Sequence, residues 1–134
     1  MQPTVVIPAV IGDVSQPLFA KAGINVITVP TVDAATLVQY GQQVDGAILG
    51  LEPIPEATFA KTPRLKILAR LGVGYNNVNP TVAKEHGVVV SVTPRANYNT
   101  VAEGILAMIF VLGRNLMASS STCRPSTGKV TLFP

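Results

Sequence analysis

Short runs of mostly apolar residues recur along the chain, and a stretch of mixed polar and apolar residues follows each of them. The runs lie at 5–10, 24–29, 46–51, 65–70 and 88–93. They are rich in β-branched residues and do not alternate with polar ones, which is typical of strands buried on both faces of a sheet. Because helical stretches separate them, the pattern predicts an α/β fold with a parallel sheet of about five strands and helices on both faces.

The stretches between the runs carry residues that favour helix ends. The predicted helices cover about 15–22, 33–42, 55–61 and 79–86. Asp33 and Asn79 are suitable N-cap residues, and Pro80 suits the first helical position. Gly23 and Gly87 stand where helices would end. Each predicted helix therefore fits between two predicted strands.

The segment 99–115 differs from everything before it. It predicts one long helix, which Asn99 or Thr100 would cap. A helix that is apolar on nearly every side has to be covered. The five-stranded unit covers one side at most, so we expect a further domain or another subunit to cover the rest. The apolar residues of this helix are Val101, Ile105, Leu106, Met108, Ile109, Phe110 and Leu112.

The last segment, 116–134, shows neither a helical nor a strand period. Its serines, threonines and prolines predict an irregular tail. The chain is thus divided into an α/β unit at 1–98, a long helix at 99–115 and a tail at 116–134.

Composition excludes several classes of protein. With 48% hydrophobic and 13% charged residues, the 134-residue chain is neither disordered nor a coiled coil. The net charge of +3 comes from Arg114, Arg124 and Lys129, because acids and bases balance before Arg114. A nucleic-acid or membrane-surface partner is therefore not expected. The single cysteine and the absence of signal-peptide features predict a soluble, cytoplasmic protein, and no apolar stretch approaches the roughly 20 residues of a membrane span.

Gly72 and Gly74 follow the fourth apolar run, and three readings of this loop stay open. A dinucleotide-binding fingerprint requires a third glycine three residues later, where Asn77 stands, and a helix that starts there. Alternatively, the backbone N–H groups at the end of a parallel strand bind a small carboxylate or phosphate. The third reading is an ordinary turn.

Other candidates for chemistry are few. His86 is the only histidine, and its place at a predicted helix end favours a structural role over general-base catalysis. Cys123 has no histidine to activate it as a nucleophile. Asp45 and Glu52 flank the third strand and would form a carboxylate pair only if they met at one sheet edge. The sequence predicts no metal site.

One segment resembles a known family. Residues 65–115, LKILARLGVGYNNVNPTVAKEHGVVVSVTPRANYNTVAEGILAMIFVLGRN, are similar to the central stretch of the D-isomer-specific 2-hydroxyacid dehydrogenases, above all phosphoglycerate-dehydrogenase-like members. The shared pattern is a strand ending in Arg, then Gly-Val-Gly, an Asn-rich turn, a helix, a strand closing in Thr-Pro, and Asn-x-x-x-Val-Ala-Glu opening a long helix. GAILGLEPI, at 46–54, resembles one branch of the family.

The resemblance implies specific roles. Residues 1–98 would be a flavodoxin-like substrate domain, 99–115 an interdomain and dimerisation helix, and 116–134 an irregular tail. The backbone of Val73 and Gly74 would bind the substrate carboxylate, Asn97 would lie near the substrate, and Thr100 would lie at the cofactor edge. The implied activity is oxidation of the CH–OH group of a small D-2-hydroxyacid, or reduction of the 2-oxoacid, by a homodimer that uses NAD or NADP.

The chain also departs from the family. The family's cofactor fingerprint, its substrate-binding arginine and its catalytic glutamate and histidine follow the interdomain helix, and no counterparts stand in the 134 residues. We therefore expect a chain truncated before the cofactor domain, with no catalytic residue and no activity by itself. The alternative is a non-enzymatic binding or dimerisation module that pairs through its apolar helix with another copy or with an intact relative.

Overall fold

A computed structural model describes residues 2–122 of the chain. Residues 123–134 of the predicted tail, Cys123 among them, lie outside the described residues. The chain divides into two compact units, Met1–Ala96 and Asn97–Pro134. This boundary falls two residues before the one predicted at 98.

The first unit contains a parallel five-stranded sheet, which confirms the predicted fold class. The strand order is β2-β1-β3-β4-β5, and every neighbouring pair is parallel. The strands are β1 (Thr4–Pro8), β2 (Asn25–Val29), β3 (Gly46–Leu49), β4 (Ile67–Arg70) and β5 (Val89–Ser91). The first predicted strand was two residues too long, because Ala9–Ile11 forms a 3-10 turn after Pro8.

Three helices connect these strands. They are α1 (Gly12–Lys21), α2 (Ala34–Tyr40) and α3 (Pro80–Glu85), with a 3-10 helix at Glu56–Lys61. Asp33 caps α2 by accepting a hydrogen bond from the Thr36 N–H group at 2.8 Å. That bond lowers the pKa of the Asp33 carboxyl. Helix α1 begins three residues before its predicted start, because it continues directly from the 3-10 turn that follows β1.

The core of this unit lies around the central strands. Val6, Leu49 and Leu68, one from each of β1, β3 and β4, are fully buried. Side chains from the helices complete the core, Leu37 from α2 and Ala83 from α3 among them. Burial on both faces of the middle strands explains why their sequences are continuously apolar.

The strand order places a change of direction between β1 and β3. From β1 the chain adds β2 on one side, and from β3 it adds β4 and β5 on the other. In open parallel sheets, the crevice outside the carboxyl ends of the strands at such a point is where ligands bind. The loops after β1, β3 and β4 meet at this carboxyl edge.

The second unit contains α4 (Tyr98–Gly113) and α5 (Leu116–Thr122). The predicted caps Asn99 and Thr100 are wrong, because both residues lie inside the first turn of α4. Asn97 precedes the helix and makes no side-chain cap hydrogen bond. Among the described residues, no helix is long and apolar enough to cross a membrane.

The predicted irregular tail is also wrong over its first residues, since 116–122 are helical. Leu116, Met117 and Ala118 are good helix formers, and their propensity outweighs that of the serines that follow. Asn115 separates the two helices because its backbone adopts a left-handed conformation, with φ of 51°.

Candidate functional site

The loop that follows β4 lies at the carboxyl edge of the sheet. We call residues 71–77 the glycine loop, with the sequence LGVGYNN. Its conformation begins at Gly72, whose φ of +140° is a region that side-chain-bearing residues rarely adopt. The chain therefore leaves the extended path of β4 at Gly72.

Two hydrogen bonds join Gly72 to Thr93, just beyond the end of β5. The Gly72 N–H group donates to the Thr93 hydroxyl oxygen at 3.0 Å. In return, the Thr93 N–H group donates to the Gly72 carbonyl at 2.9 Å. The start of the glycine loop is thus attached to the neighbouring strand through both main chain and side chain.

Arg70, the last residue of β4, folds over the same glycine. Its Nη1 atom donates to the Leu71 carbonyl at 2.8 Å. A Cβ atom at Gly72 would overlap the Arg70 guanidinium, so a side chain there would displace the arginine and would also adopt an unfavourable φ. The Arg70 Nε atom is buried and has no hydrogen-bond partner within the described residues. A cation with an unused donor therefore lies directly beside the loop.

The other end of the loop is anchored to the segment after β3. The Asn77 side-chain amide donates to the Gly50 carbonyl at 3.3 Å and to the Glu52 carbonyl at 2.9 Å. The Ile54 N–H group donates to the Asn77 carbonyl at 2.8 Å. The Asn77 amide thus fixes the glycine loop against the neighbouring strand's loop.

Between these anchors, backbone donors are left without acceptors. The N–H groups of Val73, Gly74 and Tyr75 have no hydrogen-bond partner within residues 2–122. All three residues are exposed, and a Cβ built at Gly74 would meet no atom within 4 Å. Successive free N–H groups beside a guanidinium suit a carboxylate or a phosphate.

The loop does not fit the pyrophosphate of a dinucleotide. Asn77, in the place of the third glycine, uses its side chain to hold the loop. Helix α3 begins only at Pro80, and its first N–H groups, those of Thr81 and Val82, already donate to the Asn79 side chain. No helix N-terminus is therefore left open to a phosphate at this loop, and the dinucleotide reading of Gly72 and Gly74 is excluded.

The predicted site residues fall in both units. Val73 and Gly74 lie in the first unit, whereas Asn97 and Thr100 lie in the second. Asn97 immediately precedes α4, where its carbonyl accepts a hydrogen bond from the Val101 N–H group at 2.9 Å. Thr100 is an exposed residue of the first turn of α4. A site shared by all four residues stays a prediction.

The two candidate carboxylates do not pair. Asp45 directly precedes β3 and Glu52 follows it, so they lie at opposite edges of the sheet. The Asp45 carboxylate accepts hydrogen bonds from the Thr4 N–H group at 3.0 Å and from the Arg64 guanidinium at 2.9 and 3.0 Å. The Thr4 bond first, and then the Arg64 bond, lower the pKa of the Asp45 carboxyl.

His86 occupies the end of α3, as predicted. Its Nδ1 atom lies 3.0 Å from the Val82 carbonyl, and its ring lies 5.8 Å from the Phe59 ring between centroids. Because α3 runs from the carboxyl edge back to the start of β5, His86 lies at the amino edge of the sheet. It is therefore remote from the glycine loop.

Sequence reasoning missed Thr93 and the packing of Arg70. A signal for Thr93 was present, because the runs 65–70 and 88–93 end together in neighbouring parallel strands. A hydroxyl residue at the end of the second run therefore lies opposite the glycine loop. Nothing in the sequence indicates that the Arg70 side chain turns back over Gly72.

The model of the family "D-isomer specific 2-hydroxyacid dehydrogenase, catalytic domain" matches residues 5–123. The chain belongs to this family. The match spans both the sheet that carries the glycine loop and helix α4, and it agrees with the resemblance noted in residues 65–115.

The relatives are longer than this chain. The D-3-phosphoglycerate dehydrogenase of Mycobacterium tuberculosis is 35% identical over 105 residues, which make up 78% of this chain and 18% of the relative. Among solved structures, the NAD+-bound 3-phosphoglycerate dehydrogenase of Entamoeba histolytica matches with a TM-score of 0.70 and 24% identity, over 82% of this chain and 39% of that chain. The glyoxylate/hydroxypyruvate reductase of Sinorhizobium meliloti, in complex with NADP and malonate, matches with a TM-score of 0.67 and 23% identity, over 83% of this chain and 34% of that chain. These structural likenesses show the fold.

Proposed function

We propose that the first unit is the carboxylate-binding part of an NAD- or NADP-dependent oxidoreductase that acts on the CH–OH group of small D-2-hydroxyacids, or on the matching 2-oxoacids. The observation that supports it is the set of free N–H groups at Val73, Gly74 and Tyr75. A carboxylate offers two acceptor oxygens, so the N–H groups of Val73 and Gly74 suffice to bind it.

Arg70 adds charge to this binding site. Its guanidinium packs against Gly72, which is the residue before Val73. Among the described residues no carboxylate forms an ion pair with Arg70, so an anion at the loop would meet an unneutralised cation. The site would therefore favour anionic over neutral substrates.

Holding the carboxylate orients the reacting carbon. Oxidation of a 2-hydroxyacid removes a hydride from C2 and a proton from the hydroxyl group on C2. Binding at C1 fixes the direction in which C2 presents both, which lowers the entropic cost of the reaction. The part played by the glycine loop is thus positioning.

The remaining parts of the reaction lie outside residues 2–122 in this proposal. The glycine loop does not fit a dinucleotide, and His86 lies at the opposite sheet edge. We therefore expect the 134 residues alone not to turn over a hydroxyacid. Asn97 beside the substrate and Thr100 at the cofactor edge belong to the proposal, as does a cytoplasmic location, which the single cysteine supports.

The relatives support this class of substrate. They include 3-phosphoglycerate dehydrogenases and a glyoxylate/hydroxypyruvate reductase, and the structure of the reductase contains malonate, a dicarboxylate. One structure holds NAD+ and the other NADP. The substrates in these names and malonate all carry a carboxylate group, which is the group that we propose the glycine loop binds.

Oxalate binding to the 134-residue chain tests the proposal. We expect saturable binding by calorimetry, and Arg70→Gln should weaken it about tenfold, which is the effect of losing one charge-assisted contact. Lys84→Gln is the matched control, since it removes the same charge from the exposed face of α3. If both variants weakened oxalate binding equally, the effect would come from net charge and not from the position of Arg70. Absence of oxalate binding would contradict the proposal.

A second function is supported by α4. Apart from Val111, its large apolar side chains are at least half exposed, from 50% at Ile105 to 79% at Leu112. Such a surface is typical of an interface. We propose that α4 pairs with a second copy of the chain or with an intact relative, whether or not the chain takes part in catalysis.

Sedimentation velocity tests this pairing. We expect a concentration-dependent dimer that Phe110→Lys dissociates, because a charge would be buried in an apolar contact. Val14→Lys is the control, since Val14 is also a largely exposed apolar residue, on α1. A monomer at every concentration, or a dimer that survives Phe110→Lys and not Val14→Lys, would contradict pairing through α4.

A further inference from the structure

We propose that the Thr93 hydroxyl is a positioning group for the carboxylate-binding loop. It ends the pairing of β4 with β5 and so leaves the N–H groups of Val73 and Gly74 free for a ligand. The inference rests on the proposed function and names a residue outside the loop on which ligand affinity depends.

The register of the two strands shows what the hydroxyl replaces. Ile67 pairs with Val89 and Ala69 with Ser91, so Leu71 would pair with Thr93 if the ladder continued. In a regular parallel ladder, the Thr93 N–H group would then donate to the Arg70 carbonyl, and the Gly72 N–H group to the Thr93 carbonyl. Neither of these bonds is the one observed.

The observed bonds are displaced by the side chain. The Gly72 N–H group donates to the Thr93 hydroxyl oxygen, and the Thr93 N–H group donates to the Gly72 carbonyl. The Thr93 carbonyl is released and accepts a hydrogen bond from the Ala96 N–H group at 3.2 Å. One hydroxyl therefore substitutes for a main-chain carbonyl at the point where the ladder stops.

This substitution determines the course of the loop. If the Gly72 N–H group donated to the Thr93 carbonyl instead, β4 would extend through Gly72 and its φ of +140° would be lost. The following residues would then continue as strand rather than turn. The hydroxyl thus selects the loop conformation in which Val73 and Gly74 have no partners among the described residues.

Because of where Thr93 lies, the effect of its hydroxyl on the loop can be measured separately from any effect on folding. Thr93 is exposed and contributes nothing to the buried core. Valine has nearly the same shape and lacks the hydroxyl, whereas serine keeps the hydroxyl. Thr93→Val should therefore change the loop, and Thr93→Ser should restore it, in chains that fold equally well.

The test is an oxalate titration of the 134-residue chain, followed through the backbone amide signals of Val73 and Gly74 by NMR. We expect Thr93→Val to raise the dissociation constant about tenfold and to shift the amide signals of Val73 and Gly74 already in the ligand-free chain, because the loop conformation changes. Thr93→Ser should stay within about twofold of the unsubstituted chain. Thr81→Val, the same change on the exposed first turn of α3, should have no effect.

The outcomes separate the two claims. Unchanged oxalate affinity in Thr93→Val, with binding intact in the unsubstituted chain, would overturn the positioning role and leave the proposed function standing. Equal losses in Thr93→Val and Thr93→Ser would also overturn it, because the hydroxyl would not be the cause. No amide shift in the unsubstituted chain would contradict the proposed function and would overturn the positioning role with it.

Discussion

At the amino edge of the sheet, the Asp45 carboxylate accepts hydrogen bonds from the Thr4 N–H group and the Arg64 guanidinium. At the carboxyl edge, the N–H groups of Val73 and Gly74 have no acceptor within the described part of the chain. Both edges consist of strand ends and loops of the same five strands. The difference is that paired groups at the amino edge stabilise the fold, whereas unpaired groups at the carboxyl edge are, in the proposed function, available to a ligand.

A second contrast concerns the two basic residues beside these edges. Arg64 pairs with the Asp45 carboxylate. Arg70 donates one hydrogen bond to the Leu71 carbonyl, and its buried Nε has no partner among the described residues. Removing the Asp45 carboxylate should therefore lower the free energy of unfolding. Changes around Arg70 should instead weaken ligand binding.

Gly72→Ala, at the carboxyl edge, should have the largest effect on both oxalate binding and stability. The added Cβ would overlap the Arg70 guanidinium, and the alanine would have to adopt a φ of +140°. We expect oxalate binding to fall by more than about tenfold and the free energy of unfolding to fall by about 1–3 kcal/mol. Calorimetry and urea denaturation measure the two effects.

Gly74→Ala is the matched control for this prediction. Gly74 does not have a positive φ, and an added Cβ would meet no atom within 4 Å. Its stability should therefore change by only a few tenths of a kcal/mol, which is usual for an exposed site. If Gly72→Ala bound oxalate as tightly as Gly74→Ala, the conformation of the loop would not be what the ligand requires.

A smaller effect, confined to stability, is expected at the amino edge from Asp45→Asn. The substitution weakens the hydrogen bonds with Thr4 and Arg64 at a partly buried position. We expect a loss of about 1–2 kcal/mol in the free energy of unfolding at pH 7, with unchanged oxalate binding. Glu85→Gln, an exposed change on α3, serves as the control.

The smallest effect is the pH dependence of that loss. The pKa of Asp45 is lowered from its ordinary value of 3.8 in the folded chain, so its stabilisation is complete above that value and disappears as the pH falls through the folded pKa. The difference between the unsubstituted chain and Asp45→Asn should therefore shrink below about pH 4. A difference that stayed constant from pH 7 to pH 3 would show that the charge of Asp45 does not stabilise the amino edge.

The sequence predicted the sheet well because its signal is local. Continuous apolar runs mark the strands, and Asn79-Pro80 marks the start of α3 with a cap and a fixed φ. The start of α4 was less predictable, because three polar residues within four positions, Asn97, Asn99 and Thr100, are all acceptable caps. Only the three-dimensional structure shows that the helix begins at Tyr98.

The candidate site was predictable only in part. The glycine pattern and the resemblance pointed to Val73 and Gly74 as candidates, but the bond between Gly72 and Thr93, on which we propose that their free N–H groups depend, joins residues 21 positions apart in sequence. Likewise, the direction of the Arg70 side chain depends on the absence of a Cβ at Gly72. Such contacts between distant or adjacent side chains leave no periodicity in the sequence.

The most direct test of the account is a crystal structure of the chain grown with oxalate. The account predicts a carboxylate oxygen within about 3 Å of the backbone nitrogen atoms of Val73 and Gly74, with the Arg70 guanidinium beside it. A structure at full oxalate occupancy in which the ligand lies elsewhere, and these N–H groups are bound to other residues of the chain, would contradict it.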